Sequence, residues 1–522
     1  MSEKLLGRFV FFGLLLLGIY LLPGRVIGPE FDGMPGDLGD TRFNNYILEH
    51  GHRYLCGKED YFWGAPFFYP EANAITYSDN LLGVVPVYSV FRFLGCDRET
   101  AFQWFFIAIC ILNFLSAFFM LKKWSGDVIA ASIGAWLFAF GLPVIAQINH
   151  IQLLPRFFAP IAIVYLLLFL QSLKWQELLV LCLAVVGQFY GSMYLGFLLV
   201  LILFVIVLVH LFYQSSYKQI TFSLLKNNGL RYALVLAGSA ILVFPLVWKY
   251  YQRSKEIGMR PWEEVEPLLP RLQSFVYPGN GTALYSFLEG NANGLQFPWE
   301  HVIFPGVLAV LALLTWPFFS RITRTKSDAN GNVLFISFFI ICLLFLSVGG
   351  FTMYKFIYKL PGYGSMRAPV RFMLLLLFFF SVFITLWVKE LRKKKNGTIV
   401  LGVILLFMPM DQLVKQSNLI RHSKAESMAR IAPIISKANE QQPEKWNAMV
   451  WFGAAGEDPN LVQLDGMLAA QSCGMKTVNG YSSSSPSGYW PFWVSPGEET
   501  LRDWLKFKGY ESDSSKILIL RP

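Results

Sequence analysis

Long runs without Lys, Arg, Asp or Glu, separated by short charged gaps, constrain this chain more than any other feature. A helix that crosses a lipid bilayer needs about 20 mostly apolar residues, with roughly 17 the practical minimum. Runs that reach or approach this are Phe9–Leu22, Ala101–Leu121, Val128–Ala146, Phe157–Leu173, Tyr232–Trp248, Val302–Phe319, Val333–Gly350, Phe372–Val388 and Thr398–Met410. The stretch between Glu177 and Lys218 carries no charge at all and is too long for one pass. Gly187 and Gly191 offer a reversal there, so it reads as two short spans, giving eleven in all. A hydrophobic fraction of 55% and a mean hydropathy of +0.46 agree with a mainly α, polytopic membrane protein.

Orientation follows from the basic residues, because cytoplasmic loops concentrate Lys and Arg. With eleven spans and a cytoplasmic N-terminus, the inner segments carry sixteen Lys and Arg against five Asp and Glu. That leaves 28 Lys and Arg against 29 Asp and Glu outside. The overall charge of +10 is then topological, and nucleic acid is not an expected partner. The run Leu81–Leu94 is short and carries Pro86 and Arg92; counting it as a crossing would send most basic loops outside. It is expected to lie as a helix along the outer membrane face. The N-terminal run lacks a small-residue cleavage site before Arg25 and reads as a retained first helix.

Four segments are then outside: Pro23–Thr100, Lys249–Glu300, Phe351–Arg371 and everything after Met410. Residues 1–410 read as the membrane domain and 411–522 as a small α/β unit on the non-cytoplasmic side. Its expected elements are a helix over Lys424–Asn439, a strand over Ala448–Phe452, a helix over Glu498–Lys508 and a strand over Lys516–Leu520. Cys56 and Cys96 share the first outer segment, where a disulfide is permitted. No CxxC, HExxH or Cys/His cluster points to a metal, and none is expected.

The polar residues that stand out all fall on the outer face. Gly36-Asp37-Leu38-Gly39-Asp40-Thr41-Arg42-Phe43 places two carboxylates three residues apart in a Gly-rich turn leading into a helix. Asp40 reads either as an N-cap, which is common, or as a group that activates a hydroxyl. Phe67-Phe68-Tyr69-Pro70 and Tyr77-Ser78-Asp79-Asn80 follow; an interfacial aromatic belt accounts for their rings but not for the Ser-Asp-Asn cluster. Farther on are Asn149-His150-Ile151-Gln152 with Arg156, then Glu300-His301, then Arg367 and Arg371 flanking Pro369. These cations either hold a phosphate or extend towards headgroups.

Taken in order, GDLGDTRFNNYILEH, FFYPEANAITYSDN, HIQLLPRF, EHVIFPG and MRAPVRF resemble a group of bacterial membrane proteins of the GT-C glycosyltransferase superfamily. The resemblance covers roughly residues 5 to 410 and extends more weakly to Val478-Asn479-Gly480-Tyr481. It implies a long first outer loop bearing an essential acid, helices lying on the membrane surface, and a polyprenyl-phosphate-linked sugar donor. Asp40 fits the essential acid best, with Asp37 orienting the acceptor or sharing the role. The better-known acid pairs of the superfamily are adjacent, whereas Leu38 and Gly39 separate these two. The expected substrate-binding residues are Arg42, Tyr69, Asp79, Asn80, His150, Gln152, Arg156, Glu300, His301, Arg367 and Arg371. The acceptor is expected to be an envelope glycan, lipid or protein at the outer face of a bacterial cytoplasmic membrane. No cofactor is expected, and a single displacement with inversion is the default.

Two other readings belong to different classes. A transporter of a lipid-linked saccharide calls for paired repeats and ionisable groups near mid-membrane, and the spans here are almost free of charge. A non-catalytic envelope-assembly partner would use the tail as a binding module.

Overall fold

The computed structural model describes residues 2–214, 228–323 and 326–522. Lys218, Lys226 and Arg324 of the expected inner segments lie outside the described residues. The helices of nine or more residues are α1 (Glu3–Ile19), α2 (Asp40–Leu55), α3 (Val85–Phe93), α4 (Arg98–Ser125), α5 (Val128–Phe140), α6 (Phe158–Ser172), α7 (Trp175–Gly191) and α8 (Met193–Gln214). They continue as α9 (Gly229–Ile257), α10 (Val307–Thr323), α11 (Lys326–Phe345), α12 (Met373–Arg392), α13 (Gly397–Asp411), α14 (Lys424–Glu440), α15 (Pro459–Cys473) and α16 (Glu498–Phe507).

Seven helical stretches among the described residues are long and apolar enough to cross a membrane, and four shorter apolar helices accompany them. Each expected run coincides with one of these helices. The central pair is α5 and α12, which pack on each other and are buried almost throughout. α1 and α4 pack on α5, α10 packs on α12, and α9 at the rim touches mainly α7. Apolar side chains of α1 and α9, among them Phe9, Leu16, Leu234 and Phe244, face outward from the bundle. The uncharged stretch after Glu177 divides at Ser192 into α7 and α8.

α3 spans nine residues, about 14 Å of helix, far short of a roughly 30 Å hydrocarbon layer. It packs against α2 and α4 and leaves Val90, Phe93 and the adjoining Leu94 exposed.

The tail forms its expected elements within a residue or two. Strand β3 (Ala448–Trp451) pairs in parallel with β4 (Ile517–Leu520), and Thr477 bridges to Met449. α15 was not expected. Its residues from Val462 to Gln471 are all buried, so the sequence shows no amphipathic period there. The tail is stitched to the first outer segment. β1 (Gly33–Pro35) pairs antiparallel with β2 (Arg421–Ser423), and the Phe68 and Tyr69 N–H groups donate to Asn479 and Thr477 carbonyls at 3.2 and 2.9 Å. All six cysteines are unpaired, Cys56 and Cys96 included.

Candidate active site

The N-terminal end of α2 is aimed by a tight turn. Gly36 has φ +76°, and a Cβ there would lie 2.0 Å from Thr41 Oγ1, so a larger residue does not fit. Asp37 closes the turn: its Oδ1 accepts the Gly39 N–H at 2.9 Å, and its Oδ2 accepts the Asn149 amide at 3.2 Å. Asp37 is exposed and occupied with loop geometry. Asp40 is the first helical residue rather than the cap. Gly39 occupies the cap position, and no side chain caps the helix. The N-cap reading of Asp40 is therefore corrected: its carboxylate points away from the backbone N–H groups it would have capped.

Both Asp40 oxygens meet partners from other parts of the chain. Oδ1 accepts a hydrogen bond from the Tyr481 hydroxyl at 2.6 Å. Oδ2 lies 2.9 Å from His150 Nδ1, an ion-pair contact off the line of an ideal N–H···O bond. The other face of the imidazole continues the chain, with Nε2 3.2 Å from Glu300 Oε1. Glu300 is gripped by Arg371 through Nε at 3.0 Å and Nη2 at 2.5 Å, and Gln147 adds a bond at 3.2 Å. Asn44, one turn beyond Asp40, donates to Gln152 at 2.8 Å. Thus α2 and the loop 147–153 are zipped together by Asp37–Asn149, Asp40–His150 and Asn44–Gln152.

Electrostatics in this row favour alternating charge. Burial pushes the Asp40 carboxyl up, but the contacts from His150 and Tyr481 more than reverse this and hold it below its ordinary value. Burial and the nearby Arg371 depress the His150 imidazole, yet the two carboxylates it bridges leave it above its ordinary value. Glu300, buried but beside Arg371 and His150, sits well below the usual carboxylate range. Tyr481 is pushed upward by burial and by Asp40, and so remains a donor. The row reads hydroxyl, carboxylate, imidazole, carboxylate, guanidinium. The Asp40 side chain remains 33% exposed, whereas that of Glu300 is 7% exposed.

Several expected residues are elsewhere. Arg156 is fully buried and donates to the carbonyls of Phe138 and Leu374, both at 2.9 Å. Phe138 lies near the end of α5, where helical donors run out, so Arg156 satisfies freed backbone rather than a phosphate. Arg42 leaves the opposite side of α2 and pairs with Asp465 in the tail at 2.6 Å. The Tyr69 hydroxyl donates to Asp513 at 2.7 Å. Asp79 takes the first N–H groups of α8 and the Ser192 hydroxyl; burial raises its carboxyl to about 6. The Asn80 Oδ1 accepts the Leu82 N–H. His301 faces Ser274 and the Pro267 carbonyl. Arg367 is exposed, 5.6 Å from the Phe297 ring centre, on the loop that carries Arg371.

Two partners were not anticipated. Tyr481 arrives from the tail, and Arg260 donates to the Ser483 carbonyl two residues farther on at 2.7 Å. The only prior signal was the weak resemblance at 478–481. A cavity of about 460 Å³ on another side of α2, lined by Glu49, Arg53, Arg92 and Arg98, contains none of the Asp40 row.

No family model matches the chain. No curated protein sequence matches it. Among solved structures, the oligosaccharyltransferase of Archaeoglobus fulgidus in complex with Zn and sulfate aligns with a TM-score of 0.51 at 12% identity. That alignment covers 98% of this chain and 67% of that one. The apo form of the same enzyme aligns with a TM-score of 0.52 at 12% identity, covering 96% of this chain and 68% of that one. The fold is GT-C-like. This chain thus spans about two thirds of the length of that enzyme.

The neighbour's zinc prompts a test of fit here. The His150 ring stands between the Asp40 and Glu300 carboxylates, and Arg371 holds Glu300. Among the described residues, no group of three or more His, Cys, Asp or Glu is arranged to share an ion. The arrangement does not fit a metal.

Proposed function

We propose that this protein is a membrane glycosyltransferase that moves a sugar from a polyprenyl-phosphate-linked donor to a hydroxyl-bearing envelope acceptor. The GT-C-like fold supports the class. The observation that carries the reading is Asp40, a partly exposed carboxylate held by His150 and Tyr481 from two distant parts of the chain.

Asp40 acts as the general base. The acceptor oxygen attacks the anomeric carbon as its proton passes to the carboxylate, and the bond from that carbon to the phosphate oxygen breaks. The bonding pair leaves with the phosphate, which gains one negative charge. His150 as imidazolium, Arg371 and the exposed Arg367 supply positive potential on that side. Glu300 keeps His150 protonated and Arg371 in place. Inversion at the anomeric carbon follows from a single displacement. Asp37 shapes the turn that aims Asp40.

The topology belongs to the same proposal: eleven spans, a cytoplasmic N-terminus, an outer tail, and residence in a bacterial cytoplasmic membrane. Lys389, Arg392, Lys393, Lys394 and Lys395, at the end of α12 and in the link to α13, supply the strongest inward signal. A tail-fused phosphatase, active only outside the cytoplasm, is expected to be active; activity only from a cytoplasm-dependent reporter overturns the topology.

The function is tested with purified protein in lipid nanodiscs and a panel of radiolabelled polyprenyl-phosphate hexoses and pentoses. Transfer to an added envelope extract or to water is the expected result. In vesicles, movement of the labelled lipid without bond cleavage would instead identify a transporter, and neither event would leave an assembly partner.

A further inference from the structure

The tail carries one side chain into the Asp40 row, and its delivery is built into the backbone. Residues 477–481 run along residues 66–69. Thr477 N–H donates to the Pro66 carbonyl at 2.9 Å, and Asn479 and Thr477 accept from Phe68 and Tyr69. Asn479 is itself fixed: its Oδ1 accepts the Trp451 N–H at 2.7 Å, and its amide donates to the Trp451 carbonyl at 2.9 Å. The next residue must be glycine, since a Cβ on Gly480 would lie 1.9 Å from the Phe68 ring. The following side chain is Tyr481, whose ring packs edge-on against Phe43 at 5.7 Å and beside Trp493 at 5.5 Å. Its hydroxyl therefore reaches Asp40 from a fixed direction.

We propose that Tyr481 is a positioning residue through which the tail sets the orientation and basicity of Asp40. The proposal rests on the reading of Asp40 as general base. A carboxylate oxygen has two acceptor directions. The Tyr481 hydroxyl takes one on Oδ1, and His150 faces Oδ2, so the plane of the carboxylate cannot turn. The remaining direction on Oδ1 is left for the acceptor hydroxyl to deliver its proton, on a side chain that stays partly exposed. Tyr481 itself neither gives up nor takes a proton during transfer. Burial and the Asp40 charge keep its phenol protonated, which makes it a dependable donor. Removing that donor frees the carboxylate to rotate and withdraws one bond that favours its charged form.

The test uses the full-length protein and whichever panel member the wild type turns over. Tyr481→Phe keeps the ring contacts and removes the hydroxyl. Turnover is expected to fall about 10- to 100-fold, the range for losing a bond to a charged group, with little change in KM for the donor. The acid limb of the kcat/KM profile should move to higher pH, because a bond that held the Asp40 carboxyl down is gone. Incorporating 3,5-difluorotyrosine at position 481 keeps the shape, makes the phenol a stronger donor, and should move the acid limb the opposite way. Unchanged turnover and an unmoved acid limb in both variants, with Asp40→Asn inactive, would make Tyr481 a packing residue only. If Asp40→Asn retains transfer, or the wild type turns over no member of the panel, the base reading falls, and this proposal falls with it.

Discussion

Asp40 and Arg42 are two residues apart on α2 and leave it on opposite sides, where they enter two very different charged clusters. Arg42 meets Asp465, whose other oxygen is held by Arg430 at 2.9 and 2.6 Å, with Glu457 closing the set. The Arg42 and Asp465 side chains are 2% and 3% exposed. That cluster joins α2 to α14 and α15. The Asp40 row has the same alternation of sign but ends in a neutral hydroxyl and keeps its carboxylate partly open. One helix thus uses one side to hold the tail and the other to present a reactive group. The difference lies in exposure and in the partner at the end, since both clusters are rich in charge.

If this contrast is right, breaking the closed side should cost stability. Arg42→Ala leaves Asp465 short of a buried partner and is expected to destabilise the outer region by about 3–5 kcal/mol. Thermal unfolding with a tail-specific protease readout checks this, and a change under about 1 kcal/mol would mean that the clamp is not structural.

A smaller effect is expected within the open row. Glu300→Gln removes the carboxylate beside His150 Nε2, so the imidazole pKa should drop and the alkaline limb of activity should move down by about 1–3 units. The pH–rate profile reads this directly, and an unmoved alkaline limb would remove His150 from the electrostatic account.

pH alone should divide the row as well. Asp40 and Glu300 are lowered in the folded state, so their contribution to stability holds above the ordinary carboxylate value of about 4 and is lost as pH falls through their lowered values. His150 is raised, so its contribution holds below about 6.5 and is lost as pH rises through its raised value. The row should therefore be firmest between about pH 4 and 6.5, as measured by melting temperature across pH.

The smallest effect is expected at Asp37. Asp37→Asn keeps acceptors for the exposed turn and should stay within about 0.5 kcal/mol of wild type in stability and in transition-state energy. A loss matching that of Asp40→Asn would exchange the two roles.

The sequence made the apolar helices legible because uncharged length is a one-dimensional signal. It also singled out Asp40, His150, Glu300 and Arg371, since polar groups at helix ends on one face are conspicuous. It did not separate Arg371 from Arg156. Both sit within two residues of a proline at the start of an apolar run, and only the fold reveals that Arg156 faces the Phe138 carbonyl near the end of α5 and the Leu374 carbonyl in α12. Nor does the sequence reveal the partners of Asp79, because the first N–H groups of α8 are more than a hundred residues away from it. Tyr481 was invisible as a partner because its position depends on Gly480 pressing against Phe68 across the junction with the tail.

The central claim is that the open side of α2 does chemistry while the closed side holds the structure. It is tested most directly by measuring single-turnover sugar transfer and melting temperature together in Asp40→Asn and Asp465→Asn. The account predicts that Asp40→Asn lowers transfer about 10²–10⁴-fold with a nearly unchanged melting temperature. It predicts that Asp465→Asn lowers the melting temperature clearly, while the folded protein still transfers sugar at low temperature. Near-normal transfer by Asp40→Asn, or a stability loss there equal to that of Asp465→Asn, would contradict it.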